Sequence, residues 1–191
     1  SSSKIEYPID KGIFYGDDQI YLQSYGKAGS LSFGIYDQET KEVDSDLAVN
    51  ELFNDIPDSG LIYDGFFAPT ECGVFYVSYQ MPEIYRLDNK GNVDFNVKTI
   101  YNVPAPTIVK TANITAPQNT FIHLMGLYAD CYKIYLLTSV VNADSQRVVD
   151  IYDVADGEYM ESIVVPSLPD GQNPTEIVVE GNKWYILYDE K

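Results

Sequence analysis

Apolar and polar residues alternate along most of this chain with a period of two, the signature of a strand with one buried face. Four stretches share one layout: "GDDQIYLQSYGK", "ECGVFYVSYQMP", "DCYKIYLLTSVV" and "EGNKWYILYDEK". Each opens on turn-forming residues and runs into an apolar strand centred on a tyrosine. Aligning Tyr21, Tyr76, Tyr135 and Tyr185 gives spacings of 55, 59 and 50 residues. Upstream of the turns lie further apolar runs, "GIFY", "GLIYDGFF", "HLMGLY" and "TEIVV". Every unit therefore begins with a β-hairpin.

Three units continue into a second hairpin, opened by "SFGIYDQETKE", "EIYRLDNKGNV" and "VVDIYDVADGEY". In each, an apolar pattern leads to Asp37, Asp88 or Asp153 and then to a polar turn. Gly91 and Gly157 suit such turns, because glycine takes positive φ without steric cost. Four antiparallel strands repeated at about 50 residues predict an all-β fold, a β-propeller of four-stranded blades. The repeats run over approximately 11–50, 60–101, 121–166 and 173–191 within a single domain, 1–191, and the last is a half blade. The propeller is thus expected to be incomplete, a fragment of a longer ring, or else a small four-bladed ring closed by "KIEYPI". A third alternative is one ring shared by two chains, and open blade faces would favour self-association.

Two segments depart from the pattern. "DSDLAVNELFNDI" places Leu47, Val49, Leu52, Phe53 and Ile56 at near-helical spacing, with Asp44 or Ser45 available as N-cap, so a short helix or helical turn is expected in place of a clean outer strand. "NVPAPTIVKTANITAPQNT" is a long proline-rich connection between the second and third units, suited to a functional loop or to one extra edge strand.

Composition narrows the partners. Hydrophobic content of 45% and charged content of 21% are globular values, and 17 tyrosines fit half-buried pleated surfaces. The formal net charge of -17, with 12 basic against 29 acidic residues, argues against nucleic acid and against an anionic membrane surface. No apolar run is long enough for a transmembrane helix.

The apolar-Tyr-apolar inner strands, the "IYDxxxGE"-like outer hairpins and the restart "PTEIVVEGNKWY" resemble the NHL-like and TolB-like six-bladed β-propellers common among secreted lipoproteins of Bacteroidetes. The resemblance covers essentially the whole chain through architectural motifs. It implies an exported binding or scaffold protein, periplasmic or extracellular, held by a lipid anchor and without a settled enzymatic activity. Six blades at this period need about 300 residues, more than this chain supplies.

Sequence signals for catalysis are sparse. His123 is the single histidine and stands among Phe121, Ile122 and Leu124, which reads as a packed residue with one hydrogen bond. No G-x-S-x-G elbow and no His/Cys cluster occurs, so neither a serine hydrolase nor a zinc site is expected. Acidic pairs such as Asp17-Asp18, Asp44-Asp46, Asp55-Asp58 and Asp189-Glu190 read as solvated turns. "DNKGNVD" lacks the order of a calcium loop, so calcium is unsupported and no cofactor is expected. Cys72 and Cys131 occupy equivalent turns of successive blades. Such points usually lie beyond the roughly 7 Å Cα limit of a disulfide unless close to the axis, so free thiols are expected, with a disulfide in an oxidising compartment as the alternative.

In a blade, the loops between second and third strands emerge on the same face as the inter-blade connections. This places Tyr25, Lys27, Tyr79, Gln80, Asn142 and Arg147 on one face, where rings, amides and cations suit a glycan or protein ligand. The expected function is a non-enzymatic ligand-binding or scaffold propeller, with an Asp/Glu-dependent carbohydrate-active hydrolase or lyase as the alternative.

Overall fold

The computed structural model describes residues 8–26, 29–101, 103–112, 114–118 and 120–189. Three four-stranded antiparallel sheets follow one another along the chain, each with its strands in sequence order. Blade 1 comprises β1 (Lys11–Tyr15), β2 (Gln19–Tyr25), β3 (Leu31–Asp37) and the two-residue β4 (Val43–Asp44). Blade 2 comprises β5 (Gly65–Thr70), β6 (Gly73–Ser78), β7 (Glu83–Leu87) and β8 (Val93–Lys98). The proline-rich connection forms its own hairpin, β9 (Thr107–Lys110) with β10 (Thr115–Gln118), rather than one strand on a blade edge. Blade 3 comprises β11 (Leu124–Ala129), β12 (Lys133–Val141), β13 (Arg147–Asp153) and β14 (Tyr159–Val165), and β15 (Pro174–Glu180) pairs with β16 (Lys183–Tyr188) as a two-stranded sheet. The fold is a β-propeller, and β1, β5, β11 and β15 lie side by side as its inner strands.

Blade stacking follows from the period of two. On β6, Val74 and Tyr76 face blade 1, whereas Phe75 and Val77 face blade 3. On β12, Ile134 and Leu136 face blade 2, whereas Tyr135 and Leu137 face the β15–β16 hairpin. β6 and β12 are therefore apolar on both sides, and each contributes to two cores.

The tyrosine alignment needs a correction in blade 2. Tyr21, Tyr135 and Tyr185 each stand two residues after the residue that closes the inner turn (Gln19, Lys133, Lys183), but the closing residue of blade 2 is Gly73. Phe75 therefore occupies that place, and Tyr76 points to the opposite face. Arg86, the partner of Phe75, replaces the isoleucines Ile35 and Ile151 that pair with Tyr21 and Tyr135. The recurring aspartates cap the outer turns. Asp37 accepts from the amides of Glu39 and Thr40, Asp88 from Lys90 and Asn92, and Asp153 from Ala155.

The expected helical turn lies within the "DSDLAVNELFNDI" stretch, and a second helical segment follows it. A 3₁₀ turn spans Ala48–Leu52, and α1 spans Ser59–Tyr63, so the "GLIY" run is helical and its inner strand begins only at Gly65. Neither Asp44 nor Ser45 is the N-cap; Leu47 stands there without a side-chain bond, and the Asp44 carboxylate accepts from the Asp46 amide. Beyond the two-residue β4, buried Asn50 bonds the edge of β3 where a longer outer strand would lie. It accepts from the Phe33 amide at 2.7 Å and donates to the Phe33 carbonyl at 2.9 Å. Among the described residues no helix is long and apolar enough to cross a membrane.

The cysteines are joined rather than free. Cys72 and Cys131 form a disulfide with a Cα separation of 5.5 Å. Both inner turns lie at the ends of adjacent inner strands, where blades are closest together. Cys72 is the second residue of its two-residue turn and Cys131 the first of its own, so they occupy different corners.

Candidate functional site

At the opposite ends of the inner strands, the residues that begin each blade converge. Asp10 and Lys11 begin blade 1, Asp64 immediately precedes β5, and His123 immediately precedes β11. The Lys11 ammonium donates to Asp64 Oδ1 at 2.5 Å, to the Tyr79 hydroxyl at 3.1 Å and to the Gly65 carbonyl at 3.2 Å. It also lies 4.7 Å from the centre of the Tyr79 ring, within the range of a cation–π contact. Gln23 from β2 donates to the same carboxylate oxygen at 2.9 Å, and its amide oxygen lies 3.2 Å from the Tyr76 hydroxyl. Four segments of two blades thus meet on one ion pair.

Burial alone depresses the Lys11 ammonium, but its bonds to Asp64 and Tyr79 outweigh that cost, and its pKa lies above the ordinary lysine value. Lys11 is therefore charged throughout the neutral range. Tyr25 stands at the rim, 41% exposed, with its hydroxyl donating to Asp10 Oδ2 at 3.4 Å. Burial, then the Asp64 and Asp10 carboxylates, raise its pKa and keep the phenol protonated. A methyl group on Gly60 would lie 2.3 Å from the Tyr25 ring, so glycine at this position lets α1 close against the aromatic face. The β9–β10 hairpin reaches the same region, and Lys110 pairs with Asp58 at 2.6 Å just before α1.

Of the residues proposed from sequence, Tyr25 and Tyr79 join this cluster. Gln80 follows Tyr79, with its side-chain oxygen buried and without a hydrogen-bond partner. Asn142 is spent on its own turn, accepting from the amides of Asp144 at 3.0 Å and Gln146 at 2.9 Å. Arg147 begins β13, and neither it nor Asn142 hydrogen-bonds or pairs with the Lys11–Asp64 cluster among the described residues. Lys27 lies outside the described residues. Sequence reasoning missed Asp10, Lys11, Gln23 and Asp64. The available signal was positional: "IDKG" and "YDGF" each put an aspartate directly before an inner strand.

His123 is buried as expected, but among the described residues neither ring nitrogen has a hydrogen-bond partner; its amide donates to the Tyr79 carbonyl and its carbonyl accepts from the Ser139 amide. Burial pulls its pKa down to about 4, so the ring is neutral. A second polar group, Asp150, is fully buried in blade 3 and accepts from Ser162 Oγ at 2.5 Å. Burial raises its pKa against the opposing bonds from Ser162 and Tyr101. Its bonded neighbours are hydroxyls, not a second carboxylate.

Similarity searches against protein-family models and against characterised proteins match nothing. Among solved structures, the chain is similar to the N-terminal domain of Nup159 at 10% identity and a TM-score of 0.47, covering 98% of this chain and 42% of that one. It is also similar to the Pan2 WD40 domain of Neurospora crassa at 11% identity and a TM-score of 0.45, covering 89% of this chain and 40% of that one. The chain thus spans less than half the length of these structures.

Proposed function

We propose that this chain is a non-enzymatic binding or scaffold propeller that receives a protein partner on the face formed by Asp10, Lys11, Tyr25, Asp64 and Tyr79. The observation that carries this reading is the Lys11 ammonium seated on both a carboxylate and a tyrosine ring. The same chemistry, a carboxylate beside an exposed ring at Asp10 and Tyr25, suits a Lys or Arg side chain from a partner. The net charge of -17 draws such a segment in by long-range attraction. The Cys72–Cys131 bond supports an exported, oxidising location, and the sequence resemblance to NHL-like and TolB-like lipoproteins supports a lipid anchor. The reading calls on no cofactor.

The test is a fluorescence-anisotropy titration with two labelled peptides of equal length, one rich in Lys and Arg and one uncharged, beside a polysaccharide panel. The basic peptide binds, weakens with salt, and loses about tenfold in affinity in Asp10→Asn and Tyr25→Ala. Equal affinity for both peptides, or no effect of either substitution, overturns the protein-partner reading; binding confined to a polysaccharide assigns the tyrosines to a glycan. Polysaccharide turnover that is lost when an exposed carboxylate of this face, such as Asp10, is replaced by its amide substitutes the hydrolytic alternative for the binding reading.

A further inference from the structure

The turns that carry Cys72 and Cys131 are each held in place without the sulfur–sulfur bond. In blade 2, the Thr70 hydroxyl accepts from the Cys72 amide at 3.1 Å and donates to the Gly73 carbonyl at 3.0 Å. Arg86 donates to the Cys72 carbonyl at 2.8 Å and reaches across the blade junction to the Val154 carbonyl at 3.2 Å. Its guanidinium is itself fixed by Asp94 at 3.3 Å. In blade 3, the Asp130 carboxylate accepts from the amides of Tyr132 and Lys133, both at 2.7 Å. The Val154 amide binds the Tyr132 carbonyl at 3.1 Å, which ties that turn to the outer hairpin of its own blade. Beneath both turns, Phe75, Ile134 and Val154 belong to one buried apolar cluster.

The bond is also open to solvent. Cys72 is exposed and Cys131 half-buried. They line a cleft of about 410 Å³ together with Arg86, Lys133, Asp153 and Met160.

We infer that Cys72 and Cys131 are a reversible dithiol–disulfide couple that a thiol reductant cycles on the folded protein, rather than a staple released only by unfolding. The two hydrogen-bonded turns and the shared core hold both cysteines at bonding separation in either state, so reduction leaves the thiols facing each other and ready to close again. A dithiol reductant attacks as its thiolate at the more exposed Cys72 sulfur. A bond forms between the reductant and Cys72, and Cys131 leaves as a thiolate that takes up a proton. The second thiol of the reductant then attacks its own mixed-disulfide sulfur, releasing Cys72 as the second thiol. Two electrons pass to the protein, and the reductant departs as a cyclic disulfide. An oxidised dithiol runs the same steps in reverse.

The experiment uses the whole chain in buffer without denaturant, equilibrated in mixtures of reduced and oxidised dithiothreitol, quenched with an alkylating reagent and weighed by mass spectrometry. Near-ultraviolet circular dichroism on the same samples reports packing around Trp184 and the tyrosines. Both cysteines are expected to alkylate under native conditions, with unchanged circular dichroism and return to the intramolecular bond after reoxidation. A brief exposure to a large monothiol is expected to leave the adduct on Cys72. The couple is overturned if reduction occurs only in urea, if the reduced chain loses its near-ultraviolet signal, or if reoxidation yields linked dimers. Thr70→Val and Asp130→Ala provide the second arm. Each loosens one turn, so reclosure after reduction slows severalfold if preorganisation operates; an unchanged rate removes that argument and the inference with it.

Discussion

At the junction of blades 1 and 2 the interior is aromatic, whereas at the junction of blades 2 and 3 it is largely aliphatic. Phe33 touches Phe53, Phe67 and Tyr76 at ring separations of 5.8, 5.7 and 4.9 Å, and Tyr85 packs on Phe53 from the other blade at 5.7 Å. The second junction sets Val77 and Ile84 against Leu124, Ile134 and Leu136. Their fastenings differ as well. The first is closed at the loop face by the Lys11–Asp64 ion pair, the second at the far end by the Cys72–Cys131 bond. Large rings fill a wide wedge but leave hydroxyls that must be bonded, which is why polar groups accumulate at the aromatic junction. The Tyr76 hydroxyl, for example, donates to the Tyr63 carbonyl at 2.6 Å. The aliphatic junction has few such obligations and can hold its angle with a covalent link. One repeat thus supports two kinds of fastening between blades, one ionic and one covalent.

The sharpest way to break this contrast is Phe33→Ala. Removing a fully buried ring that contacts three others should cost about 3–5 kcal/mol, measured as a fall in the urea midpoint, and hydrogen exchange should rise in blades 1 and 2 before blade 3. Uniform loss of protection across all blades would mean that the junctions are not separable.

A smaller effect tests the other side. His123 titrates at about 4 in the folded chain against an ordinary 6.5, because burial penalises its charged form. The unfolded chain therefore takes the proton first as the pH falls. Stability from this group is complete above pH 6.5, declines through the window, and is gone below about pH 4, a loss of up to about 3 kcal/mol. Urea titrations at pH 7 and pH 4.5 should show this difference in the natural chain and a reduced one in His123→Asn. Equal pH slopes in both would remove His123 from the account.

The smallest effect belongs to the ion pair. Lys11 and Asp64 are 34% and 29% exposed, so Lys11→Met should cost about 1 kcal/mol or less, with a cost that shrinks as salt is added. A cost that is large and independent of salt would show that the ammonium serves packing rather than charge.

The blade pattern was legible because strand alternation and turn chemistry are local properties, written in "IYD" and "DNKGN" without reference to distant residues. The register of blade 2 was not, since two adjacent aromatics, Phe75 and Tyr76, satisfy the same pattern, and only turn length decides which faces forward. The disulfide was misread for a geometric reason: separation between blades depends on distance from the axis, and the spacing of Cys72 and Cys131 contains no such information. The candidate site was half legible. Tyr25 and Tyr79 stand out as loop aromatics, but Asp10, Lys11 and Asp64 acquire their meaning only when three strand ends are brought together. "GLIY" went to helix because Leu61 and Ile62 are compatible with either state, and tertiary context chose.

The strict sequence order of strands within every sheet has a consequence for how the molecule comes into being. Among the described residues no strand waits for a distant partner, because within each sheet every strand pairs with its neighbours in sequence across a short turn. A blade can therefore assemble as soon as its residues have left the ribosome, and aspartate-capped turns such as those at Asp88 and Asp153 favour that early closure. The slow events are the docking of one finished blade on the next and the oxidation of two sulfurs that lie 59 residues apart along the chain.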